Sequence, residues 1–192
     1  MLEGKLLKLL EENTKLRSSV HFLRLNPKLM EGIKGETLVA NLIGGKLTPH
    51  TAPHDLSIGR KNRRDLKIEV KYSNLGQPDK NVPTKRWSWA GIFGLYHGKD
   101  FDRILLIGAA DPQFKRFYRD VRSPFVIFDL SYKDAKKIAR GSDGNIIQLT
   151  TNPLSVTSTY LKELFHQHQC TTAELKKRYK FKKMPKNDAC EP

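Results

Sequence analysis

The sequence predicts a three-layer α/β domain with a central mixed β-sheet flanked by helices. Two helical patterns open the chain, strand-like segments fill its middle, and a helical pattern returns near the C-terminus. At 192 residues the chain is long enough for one domain with a substantial core and short for two. We therefore expect a single domain over 1–192, with its core at about 28–150 and C-terminal helices with a basic tail at about 155–192.

Two helices are predicted before the first strand. Leucines from Leu2 to Leu23 recur at close to helical spacing and predict a helix that either runs through or breaks near Asn13. Pro27 can open the second helix, with Asn26 as its N-cap. The Gly44-Gly45 pair would end that helix.

A β-hairpin is predicted next. The runs "HDLSI" (54–58) and "DLKIEVKYS" (65–73) are strand-like, and the polar stretch 59–64 separates them. Glycine and proline then predict a loop over 74–86. The later patterns predict buried strands at 103–111 and 124–130, a short helix capped by Ser131, an edge strand at 145–150, and a helix over 159–179 interrupted near 169–172.

Charge is the strongest global signal. Thirty-five Lys and Arg residues against 20 Asp and Glu give a formal net charge of +15, and such a surface attracts polyanions, of which nucleic acid is the commonest. No apolar run approaches the roughly 20 residues that span a bilayer, and the N-terminus lacks a secretory signal pattern. With only Cys170 and Cys190, no disulfide framework is expected. We therefore expect a cytoplasmic protein that does not insert into membranes.

Three residues of the hairpin suggest chemistry. Side chains alternate across a strand, so Glu69 and Lys71 share one face. Pairing with the neighbouring strand would bring Asp55 to the same place. Two carboxylates can hold Mg²⁺, which activates water and neutralises charge at phosphorus. A lysine beside them can orient the nucleophile.

The order of Asp55, thirteen intervening residues and then Glu69-Val70-Lys71 resembles the active-site motif of the PD-(D/E)xK nuclease superfamily, the fold of restriction endonucleases. One extra residue, His54, separates the motif's proline from its aspartate. The similarity extends over roughly 28–140. "GIKGETLVANLIGGKLTP" (32–49) is similar to the family's first helix, where Glu36 stands at the position of a glutamate that frequently points into the site.

The resemblance implies a restriction-endonuclease-like core and a divalent-metal-dependent DNA endonuclease. Asp55, Glu69 and the Val70 carbonyl would ligate Mg²⁺, or Mn²⁺ in its place, and Lys71 would position the water. Cleavage would leave 5′-phosphate and 3′-hydroxyl ends on double-stranded DNA. A sequence-specific type II restriction enzyme acting as a homodimer is the first expectation. A junction-resolvase-like repair nuclease is the second, and a non-catalytic DNA-binding protein is the third.

Each site residue has a plainer explanation. Glu69 and Lys71 could form a same-face ion pair on an exposed strand. Asp65 could replace Asp55 as a ligand, although it lies four residues before Glu69. Glu36 could be an exposed helix residue.

Basic residues near the hairpin are candidates for DNA contacts. Lys61, Arg63 and Arg64 lie in the turn, where they are either solvated charge or a phosphate-binding loop. Lys85 and Arg86 precede Trp87 and Trp89 in "TKRWSWAG" (84–91). The tryptophans fit a core position, and basic residues next to aromatics also suit base stacking.

Overall fold

The computed structural model describes residues 2–49, 51–60, 63–76, 84–94, 98–139 and 145–179. The helices are α1 (Leu2–Leu25), α2 (Pro27–Ile43), α3 (Tyr132–Ala139), α4 (Thr159–Glu163) and α5 (Thr172–Tyr179). The strands are β1 (Lys46–Leu47), β2 (Leu56–Arg60), β3 (Arg63–Ser73), β4 (Arg86–Ala90), β5 (Arg103–Ala109), β6 (Phe125–Ser131), β7 (Ile146–Thr150) and β8 (Gln169–Cys170). The predicted basic tail after Tyr179 lies outside the described residues.

A six-stranded mixed sheet forms the centre, in the order β1-β2-β3-β5-β6-β8. Strands β3 and β5 pair in parallel, and the other neighbours are antiparallel. The predicted hairpin is β2–β3, in which Leu56 pairs with Ile68. The prediction of a mixed central sheet flanked by helices is therefore confirmed at this level.

The two faces of the sheet carry different layers. Val70 and Leu105 belong to an apolar cluster with Val39 of α2 and Leu175 of α5. Alternate residues of β5 point the other way, because side chains alternate along a strand. These residues, such as Leu106, join a second cluster with residues of β4, β7 and α3. Strands β5 and β6 are thus buried on both faces, as their continuous apolar runs predict.

The opening helices follow their sequence signals closely. Helix α1 runs without a break past Asn13, so of the two alternatives the uninterrupted helix is correct. Helix α2 begins at Pro27 and ends before Gly44, whose φ of 74° is left-handed and suits glycine. Asn26 stands at the N-cap, but its side chain makes no capping hydrogen bond there.

The predicted edge strand at 145–150 is present, but it does not belong to the central sheet. It forms β7, which pairs with β4 in a separate two-stranded sheet. That small sheet packs on the central one through two tryptophans. Trp87 is 0% exposed and donates its indole N–H to the Ala109 carbonyl at 2.8 Å, and Trp89 donates to the Ile107 carbonyl at 2.9 Å. The core explanation of both tryptophans is therefore correct, and the antiparallel pair β4–β7 adds a layer that the sequence did not predict.

The C-terminal helical region is anchored by one buried carboxylate. After α4 the chain makes a π-helical turn, and β8 then interrupts the helix where a break is predicted. Asp129 of β6 is 1% exposed and binds Arg103, Arg178 and the Tyr179 hydroxyl. This network fastens α5 to the sheet. Among the described residues, no helix has the length and apolarity needed to cross a membrane.

Candidate active site at the start of the hairpin

Asp55 lies beside the middle of β3, just before β2 begins. Its backbone N–H donates to the Ile68 carbonyl at 3.0 Å, which extends the hairpin pairing by one residue. Its side-chain Oδ2 accepts a hydrogen bond from the Val70 N–H at 2.8 Å. The backbone of β3 therefore fixes the carboxylate in place, and Oδ1 faces away from that bond.

Glu69 and Lys71 lie on one face of β3, as the alternation predicts. Val70 between them points to the opposite face, where it joins the cluster under α2. The Glu69 side chain is fully buried, and Lys71 Nζ lies 2.9 Å from its Oε1. An exposed ion pair is therefore excluded for these two residues, because one partner has no contact with solvent.

Lys99 is a site residue that the sequence did not reveal. Its Nζ lies 3.0 Å from Glu69 Oε1 and 3.5 Å from Asp55 Oδ1. The ammonium thus lies between the two carboxylates. Lys99 follows Gly98 in an irregular segment, where neither periodicity nor a motif marks it. Only the long-range packing of that segment against β3 identifies it.

Burial and charge act in opposite directions in this cluster. Burial raises the pKa of Glu69, and the nearby Asp55 raises it further, while Lys71 and Lys99 lower it. Burial lowers the pKa of Lys99, but the two carboxylates outweigh that effect, so the pKa of Lys99 is raised overall. The ammonium of Lys99 is therefore held in its charged form between the acids.

The oxygen donors here fit a hard divalent cation. Both Glu69 oxygens are buried, and the described part of the chain places no hydrogen-bond donor in acceptable geometry on them, although two ammonium groups lie close to Oε1. Such buried oxygens are costly unless a cation or donor compensates them. The Ile68 carbonyl and the Val70 N–H both face Asp55. A residue's N–H and C=O point to the same edge of a strand, so the Val70 carbonyl faces that edge too.

This site offers two carboxylates and one backbone carbonyl, and many metal centres use more acidic ligands than that. In the part of the chain that the structure describes, no three His, Cys, Asp or Glu side chains come together as a metal-binding group. Mg²⁺ commonly takes only one or two carboxylates and fills its remaining positions with water and phosphate oxygens. The donor set here is of that kind.

The other acidic candidates, Glu36 and Asp65, lie on α2 and at the start of β3, and the role of Glu36 stays a prediction. Glu36 lies on α2, which packs on the face of β3 that carries Val70 and Tyr72, where Gly35 meets both side chains. That face is opposite to the one carrying Glu69. Asp65 is exposed and lies four residues before Glu69, which corresponds to about 13 Å along a strand. Asp55 is therefore the acid that meets Glu69.

The basic hairpin tip lies some distance from the carboxylates. Arg63 and Arg64 are exposed at the start of β3, and Arg64 forms an ion pair with Asp102. Arg64 lies five positions before Glu69, which corresponds to about 17 Å along the strand. Lys61 lies outside the described residues. Contacts of the tip with a long polyanion therefore stay a prediction, at a distance along β3 from the carboxylates.

Lys85 and Arg86 lie at the start of the small sheet. Lys85 Nζ is 3.9 Å from Asp111 Oδ1, and Arg86 is exposed on β4. The side chains of the tryptophans that follow point into the core, so these rings are not available to stack on bases. Lys85 and Arg86 thus stay candidates for phosphate contact alone.

One surface cavity lies away from the carboxylates. It measures about 400 Å³ between α2 and the sheet, and Leu38, Tyr72 and Phe125 contribute to its mostly apolar lining. Because α2 covers the face opposite Glu69, this cavity does not open onto the cluster. The Glu69 carboxylate instead lies on the other face of β3, and Asp55 lies just before β2 begins.

No protein-family model matches the chain, and neither a curated protein nor a solved structure matches it. The function of the site is therefore inferred from its residues and their geometry.

Proposed function

We propose that the protein is a divalent-metal-dependent endonuclease that hydrolyses DNA phosphodiester bonds and leaves 5′-phosphate ends. One observation carries the proposal: Asp55 and Glu69 lie close enough to contact a single cationic group, with Lys71 at the same glutamate oxygen. The net charge of +15 supports a polyanionic substrate. Helix α2, the hairpin and the two buried strands also follow the order that a restriction-endonuclease-like core requires.

Asp55, Glu69 and the Val70 carbonyl would hold Mg²⁺, with Mn²⁺ as a substitute. The ion supplies two effects when bound: it lowers the pKa of a water and neutralises charge on the phosphate. Lys71 lies on the open side of Glu69, and its side chain is 22% exposed. It can therefore reach a phosphate oxygen or orient the attacking water from the solvent side.

Lys99 requires a movement in this mechanism. Its ammonium lies between the carboxylates that would bind the metal, so both cations cannot occupy that position together. Like charges at such distances repel strongly in a partly buried site. We infer that Lys99 leaves the carboxylates when metal binds, after which it can contact substrate phosphate.

The substrate is proposed to be double-stranded DNA, with sequence-specific cleavage of the type II restriction class by a homodimer. Each proposed site cuts one strand, so two copies would be needed for a double-strand break. A junction-resolvase-like nuclease is the alternative within the same chemistry. The test below distinguishes the two by the DNA that is cut.

The proposal is tested by incubating the protein with plasmid DNA and with a four-way junction, in Mg²⁺ or in EDTA. Discrete plasmid fragments in Mg²⁺ support the restriction class, and selective junction cleavage supports the alternative. Asp55→Asn, Glu69→Gln and Lys71→Ala should each abolish cleavage while DNA binding persists. Asp65→Asn is the matched control, because this exposed acid lies on the same strand outside the cluster, and it should cut normally.

Two results would overturn the proposal. Cleavage that persists in EDTA excludes a metal-dependent mechanism. DNA binding without any cleavage in Mg²⁺ or Mn²⁺ would instead favour the non-catalytic DNA-binding protein, in which the two lysines serve only to neutralise the carboxylates.

A further inference from the structure

Helix α1 is exposed along its whole described length. Every α1 side chain that the structure describes is exposed, including Leu9 at 61%, Leu16 at 65% and Val20 at 47%. The helix has 24 residues, which corresponds to about 36 Å at 1.5 Å per residue. Most helical stability in proteins comes from packing an apolar face. The exposed leucines and valine among the described α1 side chains therefore call for a partner.

The leucines of α1 follow a heptad repeat. Two sets of positions, each spaced by seven residues, alternate in steps of four and three and lie on one side of the helix. The first set, at heptad position d, is Leu2, Leu9, Leu16 and Leu23; the second, at position a, is Leu6, Asn13 and Val20. This is the pattern of a coiled-coil seam, and the described members of both sets are exposed.

The polar residues of α1 indicate which partner fits the seam. Asn13 is the one polar residue among the a positions, and a single asparagine there favours a two-stranded, in-register pair in which it meets its equivalent. Glu12 falls at position g and Arg17 at the following position e. In a parallel pair these positions face each other across the interface, so Glu12 of one helix meets Arg17 of the other. Arg17 Nε now donates to Asn13 Oδ1 at 2.9 Å, in an exposed contact that can exchange.

We propose that α1 forms a parallel two-stranded coiled coil with α1 of a second copy of this chain. Self-pairing would bury the seam leucines, place the two Asn13 side chains against each other and pair Glu12 with Arg17. The inference rests on α1 alone and does not depend on the proposed nuclease chemistry.

The chain offers a matched pair of leucines for the test. Leu16 and Leu25 are 65% and 67% exposed, but Leu16 lies on the seam and Leu25 lies at position f, on the opposite side of the helix. Sedimentation equilibrium should give twice the monomer mass of 22.0 kDa for the wild-type protein. Leu16→Lys should raise the dimer dissociation constant by at least about tenfold, because two ammonium groups would face each other in an apolar seam. Leu25→Lys should leave the constant unchanged.

Cross-linking tests the orientation. Two Val20→Cys chains in a parallel pair place their thiols opposite each other, so mild oxidation should yield a disulfide-linked dimer. In an antiparallel pair centred near Asn13 these positions would lie about 20 Å apart. Glu11→Cys, at the outward position f, is the control and should cross-link no more than the wild-type protein.

Further outcomes distinguish a specific coiled-coil seam from non-specific hydrophobic association. Asn13→Leu should tighten association and broaden the oligomer distribution beyond dimers, because the buried asparagine specifies the pair. Equal effects of Leu16→Lys and Leu25→Lys would overturn the proposal. A protein that stays monomeric at every concentration would overturn it as well. Binding of α1 to anionic vesicles or duplex DNA by such a monomer would not rescue the proposal. Wild-type near-ultraviolet circular dichroism in each variant establishes that the core remains folded.

Discussion

Neutralising Lys99 should strengthen metal binding at the carboxylates. In the wild-type protein, a divalent ion must displace the ammonium that lies 3.0 Å from Glu69 Oε1 and 3.5 Å from Asp55 Oδ1. Lys99→Gln removes the competing charge and keeps a polar side chain of similar length. It also removes a positive charge that repels the incoming ion. Both effects increase the affinity of the carboxylates for the metal ion.

The size of the effect follows from the contacts. A hydrogen bond to a charged group contributes about 1.5–3 kcal/mol, and the contact to Asp55 is near the outer limit for an ion pair. The lysine is 23% exposed, so solvent screens part of the attraction. Since about 1.4 kcal/mol corresponds to tenfold in affinity, Lys99→Gln should lower the Mn²⁺ dissociation constant by about 10-fold to 100-fold.

Isothermal titration calorimetry with Mn²⁺, in the absence of DNA, measures this constant directly. Lys67→Gln is the matched control, because Lys67 is a lysine of β3 that pairs with the exposed Asp100 and not with the two site carboxylates. The control should change affinity by much less than Lys99→Gln. Unchanged or weaker Mn²⁺ binding in Lys99→Gln, with the wild-type protein binding normally, would refute displacement of the lysine. A wild-type protein that binds no Mn²⁺ would instead refute the proposed metal site.

The Mn²⁺ affinity measured in this titration should depend on pH. Metal binds the deprotonated carboxylate, and burial raises the pKa of Glu69 above its ordinary value of 4.5. Protons therefore compete with Mn²⁺ at a higher pH than they would at an exposed glutamate. The Mn²⁺ affinity should reach its maximum well above that raised pKa and should fall as the pH is lowered through it. An affinity that stays constant down to pH about 4.5 would contradict the burial of this carboxylate.

Three further predictions concern the packing and the charged surface. Gly108→Ala should destabilise the protein by about 1–3 kcal/mol in urea unfolding, because an added Cβ would lie 2.5 Å from Trp87 Nε1; an unchanged midpoint would contradict this packing. Asp129→Ala should cost about 3 kcal/mol in the same assay, because it removes the buried carboxylate that pairs with the partly buried Arg103, and a loss below 1 kcal/mol would argue against the network. Replacing Arg63 and Arg64 with alanine should flatten the slope of log DNA affinity against log salt by up to about 2 units, and an unchanged slope would place the hairpin tip away from DNA.

The sequence predicts the elements whose signals are local. The hairpin was predictable because two alternating runs flank a short polar stretch, and α2 because Pro27 and Gly44 mark its ends. The shared face of Glu69 and Lys71 also follows from strand geometry alone. Asp55 needed one further step, since its place opposite β3 depends on the hairpin register.

Long-range features were not predictable in this way. Lys99 reaches the cluster because an irregular segment packs against β3, and no pattern in the surrounding residues encodes that contact. Strand β7 has the alternation of an edge strand, but alternation does not specify a partner, so its pairing with β4 was missed. The Arg64–Asp102 ion pair likewise joins residues 38 positions apart. Each of these contacts depends on how distant elements pack against one another, which the local sequence pattern of an element does not encode.

The position of the tryptophans determines what intrinsic fluorescence can report. The chain contains only two tryptophans, and Trp87 and Trp89 belong to the same cluster with ring centroids 5.9 Å apart. Their emission therefore follows hydration of the interface between the small sheet and the central sheet. Helix α1 contacts α2, on the other face of the central sheet, so pairing of α1 leaves that environment dry and should be nearly silent in this signal. A red shift in emission would thus mark separation of the two sheets and would serve as a selective spectroscopic measure of that one layer.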